Sequence, residues 1–441
     1  MKVLLITPEF PPDFGGGIVA YCRDLAEGLR EHGCTVDILR GSGFTHGSNS
    51  YEHEGFRISV LETERFHSWF DRFGHFAIFP MLRRHLAAAF ALHEQATQQN
   101  TFDIIEVTDW GLLFLPWVVE AQENLVVQLH GSTGQIAFHE PVVGAEVEGT
   151  MALLLERSAM EAAPILSSGS RSNALWWETL ISRRINKLLP PLRLRAAGPY
   201  NSSSNKKWIC AGRIQQWKGP EVACSAWELL GARAPCLDWI GRDTRRGISG
   251  DSMDASLRKR FPATWGRNIE PVGQVSSDEV LGRMRSARAV IVPSTWDVFN
   301  LAAAEAMALQ KVVVISDGAG AVDLVDHGVN GFVFPSGNAG ALAELVQHVE
   351  NLSDKELRRI GQLASETVRQ KLDPVRIAAE KLKLYRAVSQ DNRRLTPWLR
   401  ECLLPGTPRV PFGFLDMLPL KELSSHVLRR GLRKTLRPST P

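Results

Sequence analysis

The stretch that decides the fold is Pro293–Asp323, PSTWDVFNLAAAEAMALQKVVVISDGAGAVD. The apolar run Ala289–Val292 stands directly before it and predicts a buried parallel strand. The Ala-rich segment Val298–Leu309 predicts a helix, because it has high helix propensity and contains neither Gly nor Pro. Asp297 stands where an N-cap belongs, with its carboxylate facing the positive end of that helix. The order of strand, short loop and helix is typical of an α/β domain with a parallel sheet.

A second strand and a glycine-rich turn follow in the same stretch. Val312–Ile315 predicts the strand, and Asp317–Gly320 predicts a turn that opens another helix. Two helix N-termini beside strand ends form a pocket for anionic phosphate groups. The stretch therefore predicts a phosphate-binding edge of a parallel sheet.

Two carboxylates in this stretch, Asp297 and Glu305, are separated by seven residues. On one helix this spacing places them about 80° apart in rotation and about 12 Å apart along the axis. At that distance they cannot share a proton or a metal ion, and the spacing suits an extended ligand. Taken alone, the pair also fits an N-cap Asp followed by an exposed helix Glu.

The stretch resembles the Glu-x7-Glu signature of retaining glycosyltransferases of family 4, which have the GT-B fold. The matching residues are Pro293, Ser294, Phe299, Glu305, Ala306, Met307 and Ala308. Three positions depart from the family pattern: Asp297 and Asp323 stand where the family has Glu, and Asn300 stands where it has Gly. The resemblance implies that Glu305 binds the ribose hydroxyls of a donor nucleotide and that Asp297 lies near the donor sugar. It also implies that the backbone amides of Phe299, Asn300 and Leu301 contact phosphate.

A second motif lies upstream, after the predicted strand Trp208–Ala211. Arg213 and Lys218 match the Gly-Arg…Lys-Gly element of the same family, in which the two cations neutralise the donor diphosphate. Fixed cations suit this role because a departing nucleoside diphosphate gains negative charge in the transition state. A lone Arg-x4-Lys would also fit two exposed basic residues at a strand end. Val275 lies in a loop where the family faces the nucleobase.

The N-terminal segment predicts the opening of a Rossmann-like domain, with strands at Lys2–Thr7 and Thr35–Leu39 and an amphipathic helix at Ile18–Glu31. Its glycines do not form G-x-G-x-x-G, and no acidic residue is spaced to hold a ribose, so an NAD site is disfavoured. The resemblance implies that Gly16 and Gly17 approach the donor phosphate through backbone N–H groups. A plain strand–helix turn is an equally good interpretation.

His130 follows the predicted strand Leu125–Leu129, at the sheet edge where α/β proteins bind ligands. The resemblance implies that it contacts a donor-sugar hydroxyl; without the resemblance, a hydrogen-bonded loop histidine is the simpler interpretation.

Residues 65–80 carry six aromatic side chains close to helical spacing, flanked by arginines. Core packing is the favoured interpretation of that run, and acceptor recognition or membrane contact is the alternative.

Composition predicts more than one domain, since the chain has 441 residues. Its six cysteines form no Cys-x-x-Cys pair, so we expect reduced thiols in a cytoplasmic protein. No signal peptide, membrane-spanning run or Cys/His metal cluster is recognised.

Residues 391–441 hold eight Arg and two Lys against four acidic residues, a net charge of +6. This tail could lie on the inner face of an anionic membrane, stay solvated, or dock on its own protein.

The sequence therefore predicts an α/β protein of GT-B fold, with two Rossmann-like domains whose parallel sheets face a central cleft. We expect an acceptor domain at 1–190, a linker at 191–206, a donor domain at 207–390 and a basic tail at 391–441.

The expected activity is retaining, metal-independent transfer of a sugar from a nucleotide-diphospho-sugar to a glycan, lipid-linked or other hydroxyl acceptor, in polysaccharide or glycolipid biosynthesis. No cofactor and no nucleic-acid partner is expected. A non-catalytic GT-B scaffold subunit and a sugar-nucleotide epimerase are the alternatives.

Overall fold

The computed structural model describes residues 1–12, 16–47, 49–99, 101–140, 145–193, 207–244, 251–388, 397–404, 424, 425 and 428. These residues form two α/β units, each built on its own sheet. Most of the predicted linker, residues 194–206, lies outside the described residues.

The first sheet has the strand order β3-β4-β2-β1-β5-β6-β7-β8, and all its neighbouring strands are parallel except the antiparallel pair β3 and β4. Its strands are β1 (Lys2–Thr7), β2 (Thr35–Arg40), β3 (Tyr51–His53), β4 (Phe56–Val60), β5 (Ile104–Thr108), β6 (Leu125–Leu129), β7 (Ile165–Ser168) and β8 (Asn186–Lys187). The apolar run of β1 is buried on both faces, as expected for a central strand of a covered parallel sheet.

The second sheet is parallel throughout, with the order β11-β10-β9-β12-β13-β14. Its strands are β9 (Trp208–Ala211), β10 (Leu237–Ile240), β11 (Ile269–Gly273), β12 (Ala289–Val292), β13 (Val312–Ser316) and β14 (Phe332–Phe334). Both strands predicted around the organising stretch are present, because β12 and β13 are wholly buried apolar runs. The turn after β13 was predicted to open a helix, and the helix found there is a short 3-10 helix, Gly320–Leu324.

Helices cover both faces of each sheet. In the first unit they are α1 (Gly17–Glu31), α2 (Thr63–Arg72), α3 (Pro80–Gln99), α4 (Leu115–Val119), α5 (Thr133–His139), α6 (Glu146–Ala162) and α7 (Arg171–Leu180). After β9 they are α8 (Pro220–Leu230), α9 (Met253–Arg260), α10 (Ser277–Ser286), α11 (Leu301–Ala308), α12 (Ala339–Asn351), α13 (Asp354–Lys371), α14 (Pro374–Arg386) and α15 (Pro397–Leu403). Among the residues the structure describes, no helix is both long and apolar enough to cross a membrane.

The helix α14 returns to the first unit and packs on α1. A Cβ on Gly28 would lie 2.3 Å from the carbonyl oxygen of Pro374, so the two backbones are in close contact. Lys381, almost completely buried, donates hydrogen bonds to Glu106 Oε2 at 2.8 Å and to Gln128 Oε1 at 2.7 Å. This buried ionic contact fixes α14 to the first sheet.

The aromatic run at residues 65–80 belongs mainly to the core of the first unit. Its buried members, all at most 8 % exposed, are Phe66, Trp69, Phe73, Phe76 and Phe79. Core packing, the favoured interpretation, is confirmed for these five.

The helix α15, which belongs to the basic tail, packs on the same core, because its Leu399 and Leu403 are fully buried there.

Candidate active site

The carboxyl ends of the two sheets face each other across a cleft. A Cβ placed on Gly17, at the start of α1, would lie 3.4 Å from Leu301 Cδ1 in the other unit. A Cβ on Gly131, just beyond β6, would lie 3.2 Å from Val298 Cγ2. Open α/β sheets bind their ligands at this edge. The predicted site residues therefore lie where two such edges meet.

Three side chains form a shielded polar cluster on the second unit's side of the cleft. Lys218 Nζ donates to Asp297 Oδ2 at 2.5 Å, and Asn300 Nδ2 donates to the same oxygen at 2.8 Å. The side chains of Lys218 and Asp297 are only 16 % and 9 % exposed. Charge-assisted bonds in such a shielded place hold both charged groups in fixed positions.

The predicted cap of α11 is wrong: Asn300, and not Asp297, is the N-cap. Asn300 has φ 77° and ψ 79°, and its Oδ1 accepts a hydrogen bond from the amide of Ala303. A left-handed residue strongly favours Gly, and Asn is the best-tolerated replacement. The departure at position 300 thus preserves the backbone conformation and adds a helix cap.

The predicted helical geometry of the two carboxylates is also wrong. The helix α11 begins at Leu301, so Asp297 lies in the preceding loop and only Glu305 lies on the helix. The backbone amide of Asp297 donates to the carbonyl of Gly318 at 2.9 Å, and its side chain binds Lys218. Glu305 remains partly exposed.

The turn Gly212–Gly219 carries both predicted cations and is bound tightly to the loop after β12. Gly219 has φ 75°, and a Cβ there would lie 1.9 Å from the carbonyl oxygen of Pro293, so only Gly fits. The amide of Thr295 donates to the carbonyl of Trp217 at 2.8 Å. These backbone contacts place Lys218 against the loop that holds its carboxylate partner.

Arg213 lies at the exposed start of the same turn. Burial raises the pKa of Glu9, in the loop after β1, while Arg213 and Arg242 act in the opposite direction. Since these guanidinium groups act on Glu9 electrostatically, the loop after β1 and the ends of β9 and β10 share one electrostatic environment. An anionic ligand here would meet positive charge from two loops of the second unit.

His130 lies at the end of β6 on a loop held by a buried carboxylate. Asp109 accepts hydrogen bonds from the amides of His130 and Gly131 at 2.8 and 3.3 Å. Burial, together with the Lys381 ammonium, lowers the pKa of His130 to about 3. The imidazole is therefore neutral near pH 7 and can serve as a hydrogen-bonding group, but not as a fixed cation.

A second buried carboxyl group, that of Glu156, holds the next part of this loop. It accepts a hydrogen bond from Ser132 Oγ at 2.5 Å and from the amide of Gly134 at 3.0 Å. Burial raises the pKa of Glu156 to about 8. This support could not be predicted from local sequence, because Glu156 lies on α6, more than twenty residues away.

Two further carboxylates connect the units directly. Asp323 Oδ2 accepts from the amide of Arg171 at 2.8 Å and pairs with Lys187 Nζ at 3.1 Å. Glu140, at the end of α5, accepts hydrogen bonds from the turn Gly212–Gly219. Sequence reasoning missed Glu140, since no motif surrounds it.

The remaining predicted residues lie around the same cleft. Gly16 and Gly17 are exposed at the N-terminus of α1, and Leu301 is the first residue of α11. Phe299 is buried beside Asn300, whereas Val275 is partly buried two residues beyond β11. No three His, Cys, Asp or Glu side chains in the described ranges are grouped to hold a metal ion.

Two family models match the chain in succession. A glycosyl transferase 4-like domain matches residues 16–189, and the model described as glycosyl transferases group 1 matches residues 199–367. The chain belongs to the group 1 glycosyltransferases. It is therefore a transferase of the class that uses nucleotide-sugar donors.

Two similar sequences are themselves glycosyltransferases. An uncharacterized glycosyltransferase of Methanocaldococcus jannaschii is 24 % identical over 426 residues, which cover 88 % of this chain and 98 % of the relative. A D-inositol 3-phosphate glycosyltransferase of Pseudarthrobacter chlorophenolicus is 31 % identical over 181 residues, 41 % of this chain and 42 % of the relative.

Solved structures identify the fold of this group 1 glycosyltransferase. Sucrose-phosphate synthase of Thermosynechococcus elongatus has a TM-score of 0.68 at 20 % identity, covering 87 % of this chain and 98 % of that one. Anabaena HepE, solved with UDP and glucose, has a TM-score of 0.64 at 17 % identity, covering 88 % and 100 %. The predicted GT-B fold is confirmed.

Proposed function

We propose that this glycosyltransferase moves a sugar from a nucleoside-diphosphate sugar to a hydroxyl group of a glycan, lipid-linked or other acceptor, with retention of the anomeric configuration. Polysaccharide or glycolipid biosynthesis is the expected setting. The observation that carries this proposal is the shielded cluster of Lys218, Asp297 and Asn300, which lies beside Arg213 and faces the His130 loop across the cleft.

Arg213 and Lys218 are proposed to bind the donor diphosphate. Negative charge grows on the diphosphate as its bond to the sugar breaks, and fixed cations in a shielded site stabilise that charge. The ammonium of Lys218 is already held by Asp297, so little reorganisation is needed when the donor binds. This arrangement supports turnover without a metal ion.

Asp297 and His130 are proposed to contact the donor sugar. In the transfer, the acceptor oxygen bonds to the anomeric carbon as the carbon–phosphate-oxygen bond breaks. The bonding electrons pass to the diphosphate oxygen that leaves, and the proton of the acceptor hydroxyl passes to an oxygen of the same diphosphate. Asp297 is poorly suited to act as a nucleophile, because its Oδ2 already accepts two hydrogen bonds. This supports retention without a covalent enzyme intermediate.

The nucleoside is proposed to lie toward α11 and β11. Glu305 would accept hydrogen bonds from the ribose hydroxyls, and the loop at Val275 would face the nucleobase. The amides of Phe299, Asn300 and Leu301 would contact phosphate. The amides of Gly16 and Gly17 would approach the same phosphate from the first unit, where Gly17 already lies against Leu301.

The off-pattern residues support an enzyme over a non-catalytic scaffold. Asn300 keeps the left-handed backbone that a Gly would provide, and it also binds Asp297. Asp323 binds the first unit at two points. Each of these departures from the family pattern has a structural role in building the cleft. None of them therefore indicates that the site has lost its catalytic function.

The basic tail is proposed to make a peripheral contact with an anionic membrane. It carries a net charge of +6 between residues 391 and 441, and each basic residue near such a surface contributes about 1 kcal/mol. The docked helix α15 ties the start of the tail to the first unit through Leu399 and Leu403. A lipid-linked acceptor would then reach the cleft from the membrane.

Incubation with UDP-, GDP- and ADP-sugars, followed by measurement of nucleotide release, tests the proposal. UDP-glucose is the first donor to try, since a structural neighbour was solved with it, and inositol phosphate belongs in the acceptor panel because of the inositol-phosphate relative. We expect acceptor-dependent release with one donor and a product of unchanged anomeric configuration by NMR. Epimerised donor would indicate an epimerase, and the absence of release with every donor would favour a scaffold.

A further inference from the structure

Glu140 connects the first unit to the turn that carries Arg213 and Lys218. Its Oε2 accepts hydrogen bonds from Gln215 Nε2 at 3.0 Å and Trp217 Nε1 at 3.1 Å, and its Oε1 accepts from the amide of Gln216 at 3.0 Å. Glu140 is 1 % exposed. A single carboxylate therefore binds three consecutive residues of the opposite unit.

The helix α5 links this carboxylate rigidly to the His130 loop. Ser132 caps the helix through a hydrogen bond from the amide of Gln135, and Gln135 Nε2 donates to Asn173 Oδ1 on α7 at 2.8 Å. At the other end of α5, the ring of His139 stacks on Trp296 with centroids 4.1 Å apart and planes at 7°. Seven residues thus connect the proposed sugar-contacting loop to the turn with the cations.

The contact depends on the two units being close together. Burying a carboxylate is unfavourable unless it is hydrogen-bonded, and the three donors named above belong to the second unit. If the units separated, Glu140 would be hydrated and the amide of Gln216 would lose its acceptor. The contact therefore favours the closed arrangement and fixes the turn on which Lys218 lies.

We propose that Glu140 is a positioning residue that holds the turn Gly212–Gly219, and with it the diphosphate-binding cations, in the closed cleft. The predicted effect on donor binding rests on the proposed function, whereas the contact between Glu140 and the turn does not depend on that function. Loss of the carboxylate should raise the donor KM, because binding must then also close the cleft. At saturating donor the cleft is closed again, so kcat should change little.

The test compares Glu140→Ala and Glu140→Gln with Glu178→Ala and Glu178→Gln as matched controls. Glu178 also accepts a backbone amide, that of Ile185 at 2.8 Å, but within the first unit. We expect Glu140→Ala to raise the donor KM about 10- to 100-fold with kcat within about threefold. Glu140→Gln should be intermediate, because one acceptor oxygen remains, and the controls should match the parent.

Hydrogen exchange at the amide of Gln216 tests the contact without any donor. Exchange should be faster in Glu140→Ala than in the parent and unchanged in both Glu178 variants. Equal exchange in Glu140→Ala and the parent would overturn the proposal, and so would faster exchange with an unchanged donor KM. A lower kcat at constant KM would indicate misfolded protein and would also count against positioning. If the parent turns over no donor, the proposed function fails, and exchange alone decides whether the contact exists.

Discussion

Replacing Asn300 tests the left-handed backbone at the centre of the site. In Asn300→Gly the backbone conformation is retained, whereas in Asn300→Ala a Cβ must adopt φ 77° without a polar side chain. Both variants lose the hydrogen bond from Asn300 Nδ2 to Asp297, so that loss cancels when the two are compared. The comparison isolates the strain of the left-handed conformation and the difference in capping.

The strain of a non-Gly residue in this conformation is about 1–2 kcal/mol. Ala is a poorer N-cap than Gly by about 0.5–1 kcal/mol. Asn300→Ala should therefore be less stable than Asn300→Gly by about 1.5–3 kcal/mol, which lowers the melting temperature by about 3–12 °C in a unit of this size. Calorimetric melting of the two variants measures this difference.

Asn338 supplies a matched control, since it also caps a helix, α12, through a hydrogen bond from the amide of Ala341 at 2.9 Å. Its φ of −87° is accessible to any residue, so only the capping difference separates its Ala and Gly variants. The gap in melting temperature at position 300 should exceed the gap at position 338. Equal gaps would refute the argument that backbone strain explains the Asn at position 300.

Four further predictions follow from the site and the tail. Glu305→Ala should weaken donor binding about 10- to 150-fold by calorimetry, because a hydrogen bond to a charged group contributes about 1.5–3 kcal/mol. Burial raises the pKa of Glu156 from 4.5 to about 8, so the folded state holds a proton that the unfolded chain releases. This group's contribution to stability should fall as pH rises between those values, and Glu156→Gln should flatten that dependence in melting experiments. Turnover should survive excess EDTA; loss of activity that Mn²⁺ or Mg²⁺ restores would contradict the metal-free assignment. Deleting residues 405–441, which spares the docked helix α15, should weaken binding to anionic liposomes at low salt and leave donor affinity unchanged. Equal liposome binding by the truncated and the full-length protein would refute the proposed membrane contact.

The strands could be predicted closely because burial on both faces makes them continuous apolar runs. The bounds of β1, β6, β9 and β12 agree with the predicted runs. The start of α11 could not be predicted, because propensity alone extends the helix back to Val298. The left-handed conformation of Asn300 stops it three residues later.

The motif residues could be identified from the sequence, but their contacts could not. Lys218 and Asp297 are 79 positions apart, and their ion pair exists only because β9 and β12 are neighbours in the sheet. Glu140 and Glu156 had no recognisable motif, since their partners are backbone amides and side chains brought near by folding. Contacts of this kind depend on the relative placement of whole elements, which local sequence patterns do not contain.

Lys218 is proposed to stabilise the diphosphate as it departs. The most direct test measures donor affinity by calorimetry and kcat by nucleotide release, for the parent and for Lys218→Ala. Because diphosphate charge is greatest in the transition state, kcat should fall about 100- to 1000-fold while donor affinity falls much less. Turnover of Lys218→Ala at the parent's rate, or a parent that binds no nucleotide-sugar, would rule out this role of Lys218.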